Sequence, residues 1–331
     1  MSLSLNPTSK SCRIKRLKIG ITLGDPSGIG PAVVAGALKS TGRIADFTII
    51  GSGYVYRKAG GLQLGAVRPR FIDIDNVRHK AFRFGRIDAE YGRASIEYID
   101  RALGLLSSGD IDCLVTAPIS KEAVSLAGNK NFTGHTEYLA EKTGVKNFSM
   151  MLLNRCLKFF TVTRHISLRD VSDRVKQRDI INCVILADSA LKKLFLVAKP
   201  RLVVMALNPH ASDGGLFGNE ETLVIAPALN KCRNRQVRLD GPLAADAAVG
   251  LLKDGLYDCA IAMYHDQAMI PLKLIDRHSG VNLTVGLPFV RTSPLHGTAF
   301  DIAGNPRAAN PSSFIAAIKL AAKCALNLKR A

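Results

Sequence analysis

Three of the seven histidines follow short apolar segments that predict β-strands. They are His165 after residues 159–162, His210 after residues 201–207, and His265 after residues 260–264. Three neutral imidazoles at matching strand ends can hold a catalytic zinc-type ion with one open coordination position. Each histidine taken alone is more often a polar residue that ends a strand than a metal ligand. The local sequence leaves both interpretations open.

The segment Thr133–Glu137 precedes a predicted helix and contains His135 and Thr136. A hydroxyl, an imidazole and free backbone N–H groups at a helix N-terminus form a cradle for a phosphate group. A capped helix with a surface histidine has the same sequence pattern. From spacing alone the two interpretations are even.

Further polar residues lie in a strongly apolar C-terminal stretch, namely Lys273, Asn282 and Arg291. The two cationic side chains can hold an anionic substrate. They can also be surface charges whose aliphatic stems cover apolar neighbours. The stretch is unusual enough to make these residues candidates for a site.

Two segments contain more than one glycine, and the first of them follows a predicted strand. Residues 24–31 (Gly-Asp-Pro-Ser-Gly-Ile-Gly-Pro) match neither a Walker loop nor a dinucleotide fingerprint, and they predict a tight turn with Pro31 at a helix start. Residues 296–304 form a polar loop bounded by glycine, which suits close approach to a nucleotide. The candidate cofactor-binding residues in this loop are His296, Gly297, Thr298, Ala299 and Asp301.

Short apolar segments alternate with amphipathic helical segments, which predicts an α/β protein with largely parallel strands. Strands are predicted at 18–23, 47–50, 71–74, 113–115, 150–153, 159–162, 201–207, 237–239, 260–264 and 281–285. Helices are predicted at 30–38, 90–106, 180–196, 220–230, 244–252 and 311–326. The candidate residues above collect after predicted strands, where open α/β sheets bind their ligands.

The chain has 331 residues, enough for two domains, and its 47% apolar content excludes a disordered protein. The apolar runs are far shorter than the roughly 20 residues of a membrane helix, so we expect no membrane partner. The net charge of +18 would suit a nucleic-acid-binding protein, which is the remote alternative. The basic residues are dispersed among acids, however, and we therefore expect no nucleic-acid partner.

Residues 1–17 carry a concentration of lysine and arginine without an apolar segment behind it, which predicts a flexible basic tail and not a secretory signal. The seven cysteines contain no Cys-x-x-Cys pair, and several lie in apolar runs. This usage is typical of buried thiols in a reducing compartment. We therefore expect a cytoplasmic protein.

Six motifs occur in an order that resembles the 4-hydroxythreonine-4-phosphate dehydrogenase family of pyridoxal phosphate biosynthesis. They are residues 24–31, Thr-Gly-His-Thr-Glu (133–137), Asn-Pro-His-Ala (208–211), Gly-Pro-Leu-Ala-Ala-Asp (241–246), Tyr-His-Asp-Gln (264–267) and Gly-Leu-Pro-Phe-Val-Arg-Thr-Ser (286–293). The resemblance begins near Lys18 and continues to the C-terminus.

The resemblance implies two α/β/α domains with the active site in the cleft between them, a fold similar to isocitrate and isopropylmalate dehydrogenases. Residues 18–130 plus 290–331 would form the first domain, and residues 131–289 the second. It also implies a homodimer whose active sites share residues across the interface. One divalent metal ion (Zn, Mg, Mn or Co) would be bound by His165, His210 and His265 in each site.

By the same resemblance, the substrate-binding residues are His135, Thr136, Lys273, Asn282 and Arg291. Asp246 matches an acidic residue of the active-site region, and Lys273 or Asp246 would relay a proton. The loop 296–304 resembles the nicotinamide-dinucleotide loop of the wider fold, so the cofactor would be NAD or NADP.

The implied activity is oxidation of 4-phosphooxy-L-threonine to 2-amino-3-oxo-4-phosphooxybutanoate. This β-keto acid then loses CO2 to give 3-amino-2-oxopropyl phosphate, a step in the synthesis of pyridoxine 5'-phosphate. The alternative within the family is a dehydrogenase of 4-phospho-threonate or 4-phospho-erythronate.

Overall fold

The computed structural model describes residues 16–42, 44–61, 69–233 and 237–330. These residues form strands β1 (Lys18–Thr22), β2 (Asp46–Gly51), β3 (Arg70–Asp73), β4 (Cys113–Thr116), β5 (Ser149–Leu153), β6 (Lys158–Thr161), β7 (Leu202–Met205), β8 (Leu239–Leu243), β9 (Cys259–Ala262), β10 (Val281–Val285) and β11 (Val290–Pro294). Their helices are α1 (Gly30–Thr41), α2 (Gly53–Lys58), α3 (Ala89–Ser107), α4 (Lys121–Leu126), α5 (His135–Lys142), α6 (Val171–Arg174), α7 (Gln177–Phe195), α8 (Ala226–Arg233), α9 (Ala245–Lys253), α10 (His265–Asp276) and α11 (Ser312–Leu328). The predicted α/β class is confirmed.

The eleven described strands form one continuous sheet in the order β3-β2-β1-β4-β11-β10-β5-β6-β9-β7-β8. The outer parts of the sheet are parallel, as the alternating pattern predicts. The middle is antiparallel, because β10 pairs in the opposite direction with both β11 and β5, and β5 with β6. Strands β1 to β4 and β11 occupy one end of the sheet, and β5 to β10 the other.

Alternate residues of the central strands face two separate apolar clusters. On β5, Met151 belongs to a large cluster with α7 and α11, whereas Leu152 belongs to a smaller cluster with α10. Because successive side chains of a strand point to opposite faces, helices cover both sides of the sheet here. The two-domain division at residues 130 and 290 stays a prediction.

The same alternation separates core residues from polar residues on β10 and β11. Leu283 lies in the large cluster, and the hydroxyl of Thr292 donates to the backbone carbonyl of Ala317 in α11 (2.9 Å). Thr284 is paired with Arg291 across the two strands. Asn282, Thr284 and Arg291 therefore share the opposite face of the sheet, toward the side that α10 covers.

Two elements near this face were not predicted. Helix α10 begins at His265 and contains Pro271, which removes one helical N–H and disrupts the sequence signature of a helix. The side-chain amide of Asn154 donates to the carbonyl of Leu272 (2.9 Å) and fixes the helix to the turn after β5. The sequence of β11, Val-Arg-Thr-Ser-Pro, has no alternation of apolar and polar residues that predicts a strand.

Of the predicted basic tail, residues 1–15 lie outside the described residues. Leu17, which we assigned to that tail, is instead 6% exposed, and its carbonyl accepts a hydrogen bond from the backbone N–H of Asp46 (2.8 Å). Of the six described cysteines, all are free thiols and five are buried, while Cys156 is exposed. None of the described helices is long and apolar enough to cross a membrane.

Candidate active site

Arg291 lies in the interior and is 2% exposed. Its guanidinium donates to the hydroxyl of Thr116 from Nη2 (2.6 Å) and to the hydroxyl of Thr284 from Nη1 (3.1 Å). Burial lowers the pKa of Arg291 to about 9, and the nearby Glu137 opposes this shift. No carboxylate of the described residues forms an ion pair with Arg291. A buried charge that only neutral hydroxyls accompany is strongly stabilised by an anionic ligand.

His135 and Thr136 begin helix α5 beside this arginine. The hydroxyl of Thr136 lies 3.3 Å from that of Thr284 and accepts from Arg291 Nη1 at 3.5 Å. Burial and the positive charge of Arg291 lower the pKa of His135 well below its usual value. The imidazole is therefore neutral at pH 7. Its Nε2 atom is buried and has no hydrogen-bond partner among the described residues, as expected for an atom that contacts a ligand.

His165 and His265 form a second part of the site. Their ring centroids are 5.7 Å apart. Burial, Lys121 and His265 lower the pKa of His165, which favours the neutral imidazole that a metal ion requires. His265 Nδ1 lies 2.7 Å from a carboxylate oxygen of Asp266, a contact that can orient the ring.

The third predicted metal ligand, His210, does not join this pair. It lies in a turn, Pro209–Gly215, whose residues 210–214 have left-handed backbone angles, and its ring is 6.5 Å from that of Phe217. No group of three metal-binding side chains is close enough together within the described parts of the chain. A single chain therefore brings together only two of the three expected metal ligands. A site with all three histidines would require the His210 of another copy of the chain.

The turn that carries His210 is held by a buried carboxylate. One oxygen of Glu221 accepts hydrogen bonds from the backbone N–H groups of Leu207 (2.8 Å) and Asn208 (2.9 Å). The hydroxyl of Ser212 donates to the carbonyl of Gly218. These bonds offset the cost of left-handed angles in residues other than glycine.

Charged residues around the histidine pair were missed by the sequence analysis. Arg164 Nη1 donates to Glu137 Oε1 (3.1 Å), and Lys121 acts electrostatically on both His135 and His165. The adjacency of Arg164 to His165 and the place of Glu137 in the motif 133–137 were the available signals. Neither signal shows that Arg164 and Glu137 form an ion pair.

The remaining predicted substrate-binding and catalytic residues differ in their exposure. The side-chain amide of Asn282 donates to the sulfur of Met150 (3.3 Å), and its carbonyl oxygen is buried without a partner among the described residues. Lys273 is exposed on α10. Asp246 is exposed in the first turn of α9, and no described residue bonds to its carboxylate.

Residues 24–31 and the loop 296–304 contact each other. The N–H of Ile29 donates to the carbonyl of Thr298 (2.7 Å), and a Cβ at Gly28 would lie 3.2 Å from Thr298 Cβ. In the first segment Asp25 is completely buried, and burial raises its pKa to about 6. The N–H and the hydroxyl of Ser27 both donate to Asp25 Oδ1.

The loop 296–304 borders a cleft of about 580 Å³. His296, Gly297 and Ala299 line it, and the buried Nε2 of His296 has no hydrogen-bond partner among the described residues. Thr298 and Asp301 belong to the same loop, and Asp301 is exposed. Apolar walls, a close backbone and an unpartnered polar atom fit a nucleotide.

Comparison with known proteins identifies the family. The family model described as "Pyridoxal phosphate biosynthetic protein PdxA" matches residues 44–321. The chain belongs to the PdxA family. This confirms the resemblance drawn from the six motifs.

Individual relatives of the PdxA family cover nearly the whole chain. The 4-hydroxythreonine-4-phosphate dehydrogenase of Sulfurihydrogenibium sp. is 40% identical over 92% of this chain and 97% of its own. The D-threonate 4-phosphate dehydrogenase of Salmonella typhimurium is 38% identical over 93% of this chain and 98% of its own. The crystal structure of 4-hydroxythreonine-4-phosphate dehydrogenase from Klebsiella pneumoniae has a TM-score of 0.83 and 34% identity, and covers 95% of this chain and 99% of that one. These relatives are named as dehydrogenases.

Proposed function

We propose that this PdxA-family protein oxidises the C3 hydroxyl of 4-phosphooxy-L-threonine with NAD or NADP and a divalent metal ion. The product, 2-amino-3-oxo-4-phosphooxybutanoate, is a β-keto acid that loses CO2 to give 3-amino-2-oxopropyl phosphate, in the synthesis of pyridoxine 5'-phosphate. The observation that carries the proposal is Arg291, a buried guanidinium that forms an ion pair with no carboxylate of the described residues and acts on the neutral imidazole of His135. The same chain brings His165 and His265 together.

Arg291, His135 and Thr136 would bind an anionic end of the substrate. The guanidinium supplies charge, and Thr136 supplies a hydroxyl at the start of α5. The unpartnered Nε2 of His135 would complete this set. Asn282, whose carbonyl oxygen is also unpartnered among the described residues, would bind a donor of the same substrate.

Two groups supplied from solution complete the chemistry. When bound, the divalent ion lowers the pKa of the substrate hydroxyl, and the nicotinamide accepts the hydrogen with its electron pair from C3. His165 and His265 would hold the ion as neutral imidazoles, and His296, Gly297, Thr298, Ala299 and Asp301 would hold the nucleotide. Lys273 or Asp246 would take the hydroxyl proton, since both are exposed and able to pass it to solvent.

A homodimer would complete the metal site with His210 of the second copy. Both elements concerned carry large apolar side chains in contact with solvent in the single chain. Leu216 and Phe217 are 79% and 52% exposed just after the turn of His210, and Ile270 and Leu274 are 58% and 80% exposed on α10. Such exposure on neighbouring positions is typical of an interface.

A second substrate is favoured by the relatives themselves, because proteins named for hydroxythreonine phosphate and for threonate phosphate are 40% and 38% identical to this chain. Phospho-threonate and phospho-erythronate carry a hydroxyl in place of the amine. All three substrates have the phosphate, the carboxylate and the carbon that is oxidised. Arg291 and the histidines could therefore bind any of the three.

The test is reduction of NAD and NADP followed at 340 nm with each phosphorylated acid in turn, before and after exhaustive chelation. We expect turnover with 4-phosphooxy-L-threonine that chelation abolishes and Zn, Mn, Co or Mg restores. Faster turnover of phospho-threonate or phospho-erythronate would replace the substrate and keep the reaction. No turnover of any of them with metal present, or full activity after chelation, contradicts the proposal.

A further inference from the structure

Three positive features converge at the start of helix α5. Arg291 lies beside His135 and Thr136, the first two residues of this helix. The free N–H groups of a helix N-terminus carry a partial positive charge. Lys121 is the third feature, because its Cε atom lies 3.8 Å from where a Cβ on Gly134, the residue before the helix, would be. A lysine beside a helix N-terminus is unfavourable unless a negative charge also binds there.

The position of Lys121 is fixed by its own helix. It is the first residue of α4, and Ser120 caps this helix by accepting from the N–H of Ala123 (3.1 Å). The segment before the cap is held by Asp25, whose N–H donates to the carbonyl of Pro118 (2.9 Å). Lys121 is exposed and has no ion pair with a carboxylate of the described residues. Its ammonium group is therefore available to a ligand.

The charges in this part of the site do not balance. Glu137 lies in α5, but one of its oxygens accepts from Arg164 (3.1 Å), so these two opposite charges offset each other. His135 is neutral, because burial and Arg291 lower its pKa well below the usual value. Arg291 and Lys121 therefore leave two positive charges without a paired carboxylate among the described residues.

We infer that Lys121 is a substrate-binding residue, and that together with Arg291 it selects a phosphate group that carries two negative charges. The inference rests on the proposed function, in which Arg291, His135 and Thr136 bind an anionic end of the substrate. It adds a second cation and assigns the phosphate, not the carboxylate, to this end. A phosphate monoester carries about −1.5 to −2 charges at pH 7, and a carboxylate carries one.

Lys121 also relates the phosphate position to the histidine pair. Burial lowers the pKa of His165 most, and among the charged groups Lys121 has the largest effect. Burial, Arg291 and Lys121 together lower the pKa of His135. The ammonium group is therefore within electrostatic range of both imidazoles. Because the phosphate ester is attached to C4, next to the oxidised C3, a phosphate bound by Lys121 places C3 on the side of His165.

The experiment is a proton NMR titration of the full chain at pH 8, without nicotinamide, using methyl phosphate and methyl sulfate as the probes. These two anions have the same tetrahedral shape and differ by one negative charge at this pH. We expect methyl phosphate to bind roughly 10- to 100-fold more tightly, the factor for a charged hydrogen bond. Broadening of the two methyl signals measures both dissociation constants.

Lys121→Ala and Lys121→Gln should reduce the preference for methyl phosphate to within about threefold, whereas Lys121→Arg should keep most of it. In turnover, Lys121→Ala should raise KM for the phosphorylated substrate with little change in kcat, as the loss of a contact made equally in the ground and transition states does. The matched control is Lys39→Ala, at an exposed lysine in the last turn of α1, which should change none of these values.

The stability of the ligand-free protein separates binding from a structural role. Lys121 is repelled by Arg291 and by the N-terminus of α5. Lys121→Ala should therefore leave the melting temperature without ligand unchanged or raise it. A lysine that supports the fold would instead lower the melting temperature when it is removed.

Equal binding of the two probes by the parent, or an unchanged preference in Lys121→Ala, overturns the inference. An equal loss of both probes together with a lower melting temperature overturns it too, because Lys121 would then support the fold. Turnover by Lys121→Ala with the parental KM also overturns it and leaves the proposed reaction standing. A Lys121-dependent preference for methyl phosphate without turnover of any phosphorylated acid supports the inference and contradicts the proposed function.

Discussion

Arg291 destabilises the fold through its buried charge, and its proposed role in binding would offset part of that cost. Its charge is buried among hydroxyl groups, and burial lowers its pKa to about 9. A bound anion would offset the desolvation of the guanidinium, so part of the energy lost on folding returns on binding. If Arg291 binds the substrate as proposed, protein stability and substrate affinity are coupled at this residue.

We predict that Arg291→Ala raises KM for the phosphorylated substrate roughly 10- to 100-fold, the loss of about 1.5–3 kcal/mol of charged hydrogen bonds. Arg291→Lys should recover only part of the affinity, since an ammonium lacks the planar fork. Initial rates over a range of substrate concentrations measure the effect. For a dephosphorylated substrate we expect little difference between the parent and Arg291→Ala. Equal kinetics of variant and parent on the phosphorylated substrate would remove Arg291 from the binding site.

The Asp25 carboxyl makes the stability of the fold depend on pH, because burial raises its pKa from 3.8 to about 6. The unfolded chain releases this proton first as pH rises, so the carboxyl lowers the free energy of unfolding between about pH 4 and pH 6. The total cost above pH 6 is about 3 kcal/mol. Asp25→Asn keeps a side-chain oxygen that can accept from Ser27. Because an amide carries no charge, this variant avoids the cost of burying a carboxylate.

We therefore predict that the stability of Asp25→Asn relative to the parent increases by roughly 1 kcal/mol between pH 5 and pH 8. Urea unfolding at the two pH values measures it. Asp254→Asn, at an exposed carboxylate, is the control and should show no such change. If the difference in the free energy of unfolding between Asp25→Asn and the parent is the same at both pH values, the carboxyl is hydrated in solution and its pKa is not raised.

The sequence indicated individual site residues better than their partners. His135, Thr136 and Arg291 were found by motif and by an unusual apolar context. The contacts of Arg291 with Thr116 and of Arg164 with Glu137 join segments far apart in the chain, and no local pattern reports such pairs. The burial of Asp25 was hidden for the same reason.

At the scale of elements, hydrophobic periodicity predicted the regular strands and long helices, but it did not predict two elements that carry candidate site residues. Helix α10 contains a proline, and β11 carries an arginine in its interior. Both features contradict the usual sequence signature of their element. The two elements nevertheless form because Asn154 supports α10 and because β11 is enclosed between β4 and β10.

The N-terminal boundary gives a prediction at the same scale. Deletion of residues 1–15 should leave the melting temperature unchanged, whereas deletion of residues 1–17 also removes the buried Leu17 and its hydrogen bond to Asp46. The longer deletion should cost about 2–3 kcal/mol. Thermal unfolding of both truncated proteins measures the difference. If both melt like the parent, Leu17 contributes nothing to the core.

At the scale of the whole molecule, the histidines divide into a pair and a single residue. His165 and His265 meet within one chain, and His210 lies apart in its left-handed turn. If the metal site is shared in a dimer, variants from the two groups should complement each other.

We predict that mixing His265→Ala with His210→Ala subunits yields heterodimers with one intact site and part of the parental activity. Mixing His165→Ala with His265→Ala should yield none, because each site then lacks one of its own pair. Activity after refolding together, with heterodimers verified by differently tagged subunits, measures both mixtures. Recovery in the second mixture, or none in the first, contradicts the assignment of His210 to the partner.

The position of β11 also has a consequence for synthesis on the ribosome. Strand β4 ends at Thr116 and has β1 on one side, but its second neighbour, β11, begins only at Val290, about 170 residues later. At roughly 5–20 residues per second, the edge of β4 waits about 10–35 seconds for its partner. During that time its unpaired N–H and C=O groups can join another nascent chain. The late synthesis of β11 thus makes the interval between residues 116 and 290, roughly the middle half of translation, the period in which this protein depends most on chaperones.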